Sequence, residues 1–104
     1  MHVLAFKMKL LPGYADEYKK RHDLIWPELK ALLKENGIRD YTIFLDEDTH
    51  LLFARLTVNH IQVLNDLPEK PVMKKWWGYM KDVMETNEDH SPVSVPLKLV
   101  FFME

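Results

Sequence analysis

Two alternating stretches, Ile38–Leu45 and His50–Val58, are separated by only four polar residues, Asp46–Thr49. In the first stretch Tyr41, Ile43 and Leu45 fall on one side and Thr42 and Phe44 on the other, the period of two that a strand imposes. A connection this short makes a hairpin of antiparallel strands, because a parallel pair needs a crossover of roughly a dozen residues or more. An antiparallel sheet is therefore fixed, and the remaining chain must extend and cover it.

His2–Leu10 alternates in the same way, with Leu4, Phe6, Met8 and Leu10 opposite Val3, Ala5, Lys7 and Lys9, until Pro12-Gly13 ends it. From Tyr14 to Asn36 the spacing becomes helical, with Tyr14, Tyr18, His22, Ile25, Leu29, Leu32 and Leu33 as the inward candidates. Pro27 fits poorly inside a helix, so a kink or a restart with Pro27 in the first turn is expected. Asn36-Gly37 is a helix stop. A short helical piece from His60 to Leu67 is punctuated by Pro68 and Pro71. A second main helix is predicted from Val72 to roughly Glu85, with Val72, Trp76, Tyr79, Met80 and Val83 at helical spacing. Thr86–Pro96 reads as a polar loop, and Leu97–Met103 alternates as a closing strand.

The order β-α-β-β-α-β predicts an α+β, ferredoxin-like fold, an antiparallel sheet with two helices on one face. At 104 residues the chain is read as one domain, 1–104, with one core and room for one small-molecule cleft. The uncovered sheet face is expected to carry Val3, Ala5, Phe44, Leu51, Phe53, Val100 and Phe102. That much bare apolar surface predicts a homodimer packed sheet to sheet about a two-fold axis, a dimeric α+β barrel type of assembly.

A formal net charge of -2, with no basic cluster longer than Lys19-Lys20-Arg21, argues against a nucleic-acid surface. The absence of cysteine removes disulfides, thiolate nucleophiles and cysteine-based metal sites, and fits a reducing cytoplasm. The N-terminal stretch lacks a signal-peptide layout and no apolar run reaches membrane-span length, so a soluble cytoplasmic protein without a membrane partner is expected.

His22 is the one histidine on a predicted inward face, one helical turn from Tyr18. His2, His50, His60 and His90 make no metal-ligand spacing with any other His, Asp or Glu. On its own, an inward histidine is more often a hydrogen-bonded core residue than a catalyst. Trp76-Trp77 is rarer: adjacent helical residues point about 100° apart, so one ring can enter the core while the other lines a cleft. Tyr41 shares the helix-facing side of its strand, so its hydroxyl can reach the space of Tyr18 and His22. Together these residues describe an aromatic-walled pocket with hydroxyl donors and one acid/base group. Gly13, Gly37 and Gly78 form no phosphate-binding loop, and Ser91 and Ser94 lack a nucleophile-elbow pattern. Reactions needing no cofactor, metal or nucleophile remain, and proton transfer on a neutral polyol is one.

Three motifs, Arg21-His22-x-x-Ile25-Trp26-Pro27-Glu28-Leu29, Trp76-Trp77-x-Tyr79-Met80-x-Asp82-Val83-Met84 and Ser91-Pro92-Val93-Ser94, closely resemble the L-rhamnose mutarotase family. The resemblance runs from the first strand to the last. It implies a dimeric ferredoxin-like fold and cofactor-independent exchange of the α and β anomers of L-rhamnose. It further implies that His22 is the proton donor and that Tyr18, Tyr41, Trp76 and Trp77 bind the sugar. The alternatives are a same-family enzyme for another 6-deoxy sugar such as L-fucose, a haem-related or cofactor-free monooxygenase on the same fold, a ligand-binding module without turnover, or a structural dimer.

Overall fold

The computed structural model describes residues 1–104. Strand β1 (His2–Lys9) leads into α1 (Ala15–Asp23) and α2 (Pro27–Glu35), followed by the hairpin of β2 (Ile38–Asp46) and β3 (Leu51–Val58). A short helix α3 (Val63–Asp66) and a single 3-10 turn precede α4 (Pro71–Met80), and β4 (Val95–Leu97) closes the sheet. Neighbouring strands run in the order β2-β3-β1-β4 and all pairs are antiparallel. This is the ferredoxin-like arrangement predicted from the order of elements.

The predicted break at Pro27 is a restart. Trp26 is extended (φ -59°, ψ 132°) and Pro27 opens α2, as expected where the residue before proline avoids helical geometry and proline itself has no amide to leave unpaired. Acidic Asp16 and Glu17 in the first turn of α1 and Lys20, Arg21 and His22 in its last turn complement the helix dipole.

Met8, Leu10, Leu52, Ala54, Leu56 and Val58 are buried beneath Tyr18, Leu29, Trp76 and Met80, so the helices cover one sheet face. Val3, Phe44 and Phe53 are exposed on the other, with Phe44 and Phe53 directly opposite one another in the β2–β3 pair. Strand parity is therefore as predicted. Tyr14 differs: it stands at the N-cap of α1 and is exposed, outside the inward stripe.

Two elements end earlier than their periodicity predicts. α4 stops at Met80 rather than near Glu85. The next residues leave the helix because the end of β1 captures their backbone: Leu11 N–H donates to the Val83 carbonyl and Glu85 N–H to the Lys9 carbonyl, both at 2.9 Å. Val83 remains wholly buried, so its inward assignment survives the loss of helix. The closing strand is Val95–Leu97, paired with Ala5–Lys7, so it takes Val95 and Pro96 from the predicted loop and only Leu97 from the predicted strand. Residues 98–104 are not strand, and Leu99, Val100, Phe101, Phe102 and Met103 are all at least 65% exposed. Their alternation specifies two faces but not a neighbour, and no strand of this chain lies beside them.

Gly37 closes α2 at φ +78°, and a Cβ there would meet the Asn59 side chain at 3.2 Å. A left-handed conformation costs an L-residue about 1–2 kcal/mol, so Gly37→Ala is expected to lower unfolding free energy by about that amount in urea denaturation. An unchanged midpoint and slope would show that this turn tolerates a side chain.

Candidate active site

Tyr18 and His22 stand one turn apart on α1, and their rings stack with centroids 4.3 Å apart at 28°. His22 Nδ1 lies 3.0 Å from the Tyr18 carbonyl oxygen. A carbonyl only accepts, so Nδ1 carries the hydrogen and the neutral ring keeps Nε2 free as an acceptor. From α4, the edge of Trp76 meets the imidazole at 5.4 Å and 87°. Burial among these rings pulls the His22 pKa below its ordinary 6.5; the Tyr18 carbonyl and nearby Asp23 oppose the shift without overcoming it.

Tyr41 reaches the same space through a β-bulge. The β2–β3 register shifts between Arg39 and Thr42, and Asp40 takes a left-handed conformation at φ 51°. The extra residue lets Ile38 and Ile43 face the helices although their numbers differ in parity: Ile38 opposes Val58 and Ile43 opposes Ala54. Thr57 Oγ1 donates to the Arg39 carbonyl at 3.1 Å, which supplies a partner at the irregularity. Within the bulge Tyr41 sits edge-on to Phe6 at 6.4 Å.

These elements enclose a cavity of about 770 Å³ between the sheet and the helices, within the range of small-molecule sites. Tyr18, His22, Tyr41, Trp76 and Trp77 all line it, and Met8, Leu52 and Met80 add apolar surface. The structure thus brings together all five residues singled out in the sequence. Trp76 is buried and Trp77 half-buried, the division of labour expected of adjacent helical positions. No buried polar side-chain atom lacks a partner, so the Tyr18 phenol oxygen, which has no hydrogen bond within the chain, is not sealed in the core; Tyr41, which also lines the cavity, is 43% exposed. Burial raises the Tyr18 phenol pKa, with nearby Tyr41 contributing, and packing of neighbouring atoms around the Tyr41 ring pushes its phenol up to about 12 although the residue is still 43% exposed. Both are neutral hydrogen-bond donors at ordinary pH. No group of three His, Cys, Asp or Glu side chains is placed to hold a metal ion.

Sequence reasoning missed the outer wall. Trp26 stacks on Tyr79 (5.5 Å, 29°) and meets Trp76 edge-on (5.2 Å, 88°). The Arg21 guanidinium lies 4.4 Å from the Tyr79 ring centroid and makes a two-pronged bond to Asp82 at 2.8 and 3.2 Å. In the sequence Arg21 belongs to a basic run and Asp82 reads equally as a contributor to the site, a surface charge or a cap; nothing local joins residues 61 positions apart. The Ser91–Ser94 motif forms part of a turn instead of a nucleophile site. Asn87 N–H donates to the Ser91 carbonyl at 2.7 Å, and Pro92 reaches the cavity margin.

The family model for L-rhamnose mutarotase matches residues 3–103. An L-rhamnose mutarotase of Sinorhizobium fredii is 57% identical over 103 residues, 99% of each chain. Another from Bacteroides thetaiotaomicron is 53% identical over 100 residues, 96% of each. The crystal structure of the Formosa agariphila L-rhamnose mutarotase covers 100% of both chains at 52% identity, with a TM-score of 0.94. Solved proteins from Mycobacterium tuberculosis and Pseudomonas aeruginosa, at 11% and 14% identity and TM-scores of 0.62 and 0.59, share the fold alone. Matched almost end to end by the family model and by relatives more than half identical to it, the chain belongs to the L-rhamnose mutarotase family.

Proposed function

We propose that the protein interconverts the α and β anomers of L-rhamnose, with 1–104 as one catalytic domain and His22 as the proton carrier. Family membership supports the reaction and the sugar. The observation that carries the residue roles is the His22 tautomer: Nδ1–H is held by the Tyr18 carbonyl, which leaves Nε2 as a base on a cavity-lining ring. Two neutral phenols and two indoles surround that base, a wall suited to the hydroxyls and C–H faces of an uncharged sugar.

Ring opening then proceeds in a balanced sequence. Nε2 takes the proton of the anomeric hydroxyl, the bond from C1 to the ring oxygen breaks, and O1 becomes the aldehyde oxygen. The imidazolium delivers its proton to the departing ring oxygen, which shares C1 with the anomeric oxygen and so lies within reach of the same nitrogen. Rotation about C1–C2 presents the other aldehyde face. The C5 hydroxyl adds to that face, returning its proton through His22 to O1. The proton-donor role implied by the family resemblance is thus the second half of a cycle that His22 enters as a base. Tyr18 and Tyr41 hydrogen-bond to the sugar oxygens rather than ionise, because burial disfavours their phenolates. Trp76 and Trp77 pack against the ring's apolar face.

A homodimer is part of the same reading. It is supported by exposed Val3, Phe44 and Phe53 on the uncovered sheet face and by the exposed apolar run Leu99–Met103, surface that a second copy would remove from water. A cytoplasmic site of action accords with a place in sugar metabolism.

Magnetisation exchange between the anomer signals of L-rhamnose tests the reaction, with L-fucose and D-glucose run alongside. Exchange should accelerate for L-rhamnose; no acceleration between pH 6 and 8 would remove the assignment, and acceleration of L-fucose as well would broaden the substrate. His22→Ala should lower the rate by about 10²–10⁴-fold while the chain still unfolds cooperatively. The wild-type rate should rise with pH through a midpoint below 6.5 and level off above it, since only neutral His22 starts the cycle; a rate falling over that interval would mean that His22 starts protonated. Sedimentation equilibrium should give twice the chain mass, and Phe44→Glu should shift it towards the monomer.

A further inference from the structure

We propose that Arg21 is a positioning residue of the active site: through Asp82 and Tyr79 it fixes the aromatic wall against which His22 is oriented. The proposal rests on the mutarotase reading and adds to it a residue that does not touch the cavity.

Every nitrogen of the Arg21 guanidinium is engaged. Nε donates to Glu17 Oε2 at 2.7 Å, Nη1 to Asp82 Oδ1 at 2.8 Å and to the Tyr79 carbonyl at 2.6 Å, and Nη2 to Asp82 Oδ2 at 3.2 Å. The side chain is only 12% exposed although Asp82 is 59% exposed. The bonds to the Tyr79 carbonyl and to Asp82 are the only side-chain hydrogen bonds joining α1 to the end of α4 and the residues just after it. The Tyr79 carbonyl lies in the last turn of α4, where helix geometry leaves acceptors unpaired and a cation is favoured.

From this anchor an unbroken run of ring contacts leads to the reacting nitrogen's own ring. Arg21 lies over Tyr79, Tyr79 stacks on Trp26, Trp26 meets Trp76, and Trp76 meets His22. Since Arg21 precedes His22 on α1, the loop closes on itself: one helix supplies both the clamp and the base. Partly exposed ion pairs add little to stability, so the contribution of this one is directional. A planar fork can hold Glu17, Asp82 and a carbonyl at once, which a lysine ammonium at the end of a flexible stem cannot.

Arg21→Lys, Asp82→Asn and the double variant are compared with wild type by anomer exchange, thermal unfolding and near-ultraviolet circular dichroism. Small misplacements in an active site cost up to about 10²-fold; Arg21→Lys is expected to lower kcat about 10-fold, with a smaller change in KM because the sugar-facing rings remain. Asp82→Asn should give a similar loss, and the double variant should be no worse than Arg21→Lys, since both break one device. The thermal midpoint should fall by a few degrees at most, while the aromatic dichroism changes. Wild-type kcat in both single variants, losses that multiply in the double variant, or losses that only follow the unfolded fraction would each overturn the proposal. A wild-type protein without activity would instead overturn the mutarotase reading beneath it, and that is seen before any variant is compared.

Discussion

Pro27 has no amide hydrogen for the carbonyl one turn back, and its ring keeps Trp26 out of helical geometry. A continuous helix through this stretch would hold Trp26 one turn beyond His22, on the same stripe and facing the same way. Instead the chain turns between Asp23 and Pro27. Trp26, extended at that turn, is placed against Trp76 and Tyr79 on another helix. The restart separates two tasks: α1 presents Tyr18, Arg21 and His22, while α2 buries Leu29 in the core. The outer wall, the clamp on α4 and the stacking around the imidazole all presuppose that turn.

The opposite side of the cavity depends on a different irregularity. β2 must pack Ile38 into the cluster of Leu56, Val58 and Leu67 and also direct Tyr41, Ile43 and Leu45 towards the helices, which strict alternation cannot do. One extra residue between Arg39 and Thr42 reconciles the two requirements. Its cost is Asp40 in the left-handed region, a conformation that aspartate tolerates better than most residues. Hydrogen-bonding of Thr57 to the Arg39 carbonyl limits the loss from the disrupted ladder. Thus both walls of the site arise where regular secondary structure is interrupted.

Much of this was legible in the sequence because it rests on local periodicity. Alternation placed Phe44 and Phe53 outside, and the proline and Asn-Gly signals located the ends of α2. Tyr18, His22, Tyr41 and Trp76 reached one cavity because each lay on an inward stripe whose phase could be read from its neighbours; Trp77, off that stripe, reached it as the second ring of an adjacent pair. What was not legible depends on a partner distant in sequence. The end of α4 is decided by the backbone of β1, which draws Val83 and Glu85 out of a helix their spacing would continue. The alternating tail after Leu97 has strand character but no strand beside it. Arg21 reads as one charge in a basic run because Asp82, which gives it direction, comes from the turn that follows α4, 61 positions away.

The protonation state of His22 is a balance that the fold tips. The imidazole lies in the last turn of α1, where a helix end favours a cation, and both Asp23 and the Tyr18 carbonyl act in the same direction. In water these influences would hold the ring protonated to higher pH. They lose to desolvation by the rings that enclose it. The sign has a consequence for stability: the unfolded chain binds the proton more readily than the folded one. The stabilisation associated with neutral His22 is present above about pH 6.5 and is lost as pH falls towards and below the folded-state value. Under the proposed mechanism the aromatic wall would act twice, first in excluding the water that would charge the base and then in offering its faces to the sugar. A change that loosened the wall would relieve the desolvation of His22 and raise its pKa, and under the proposed mechanism it would weaken sugar contact as well, so that binding and proton transfer would be coupled.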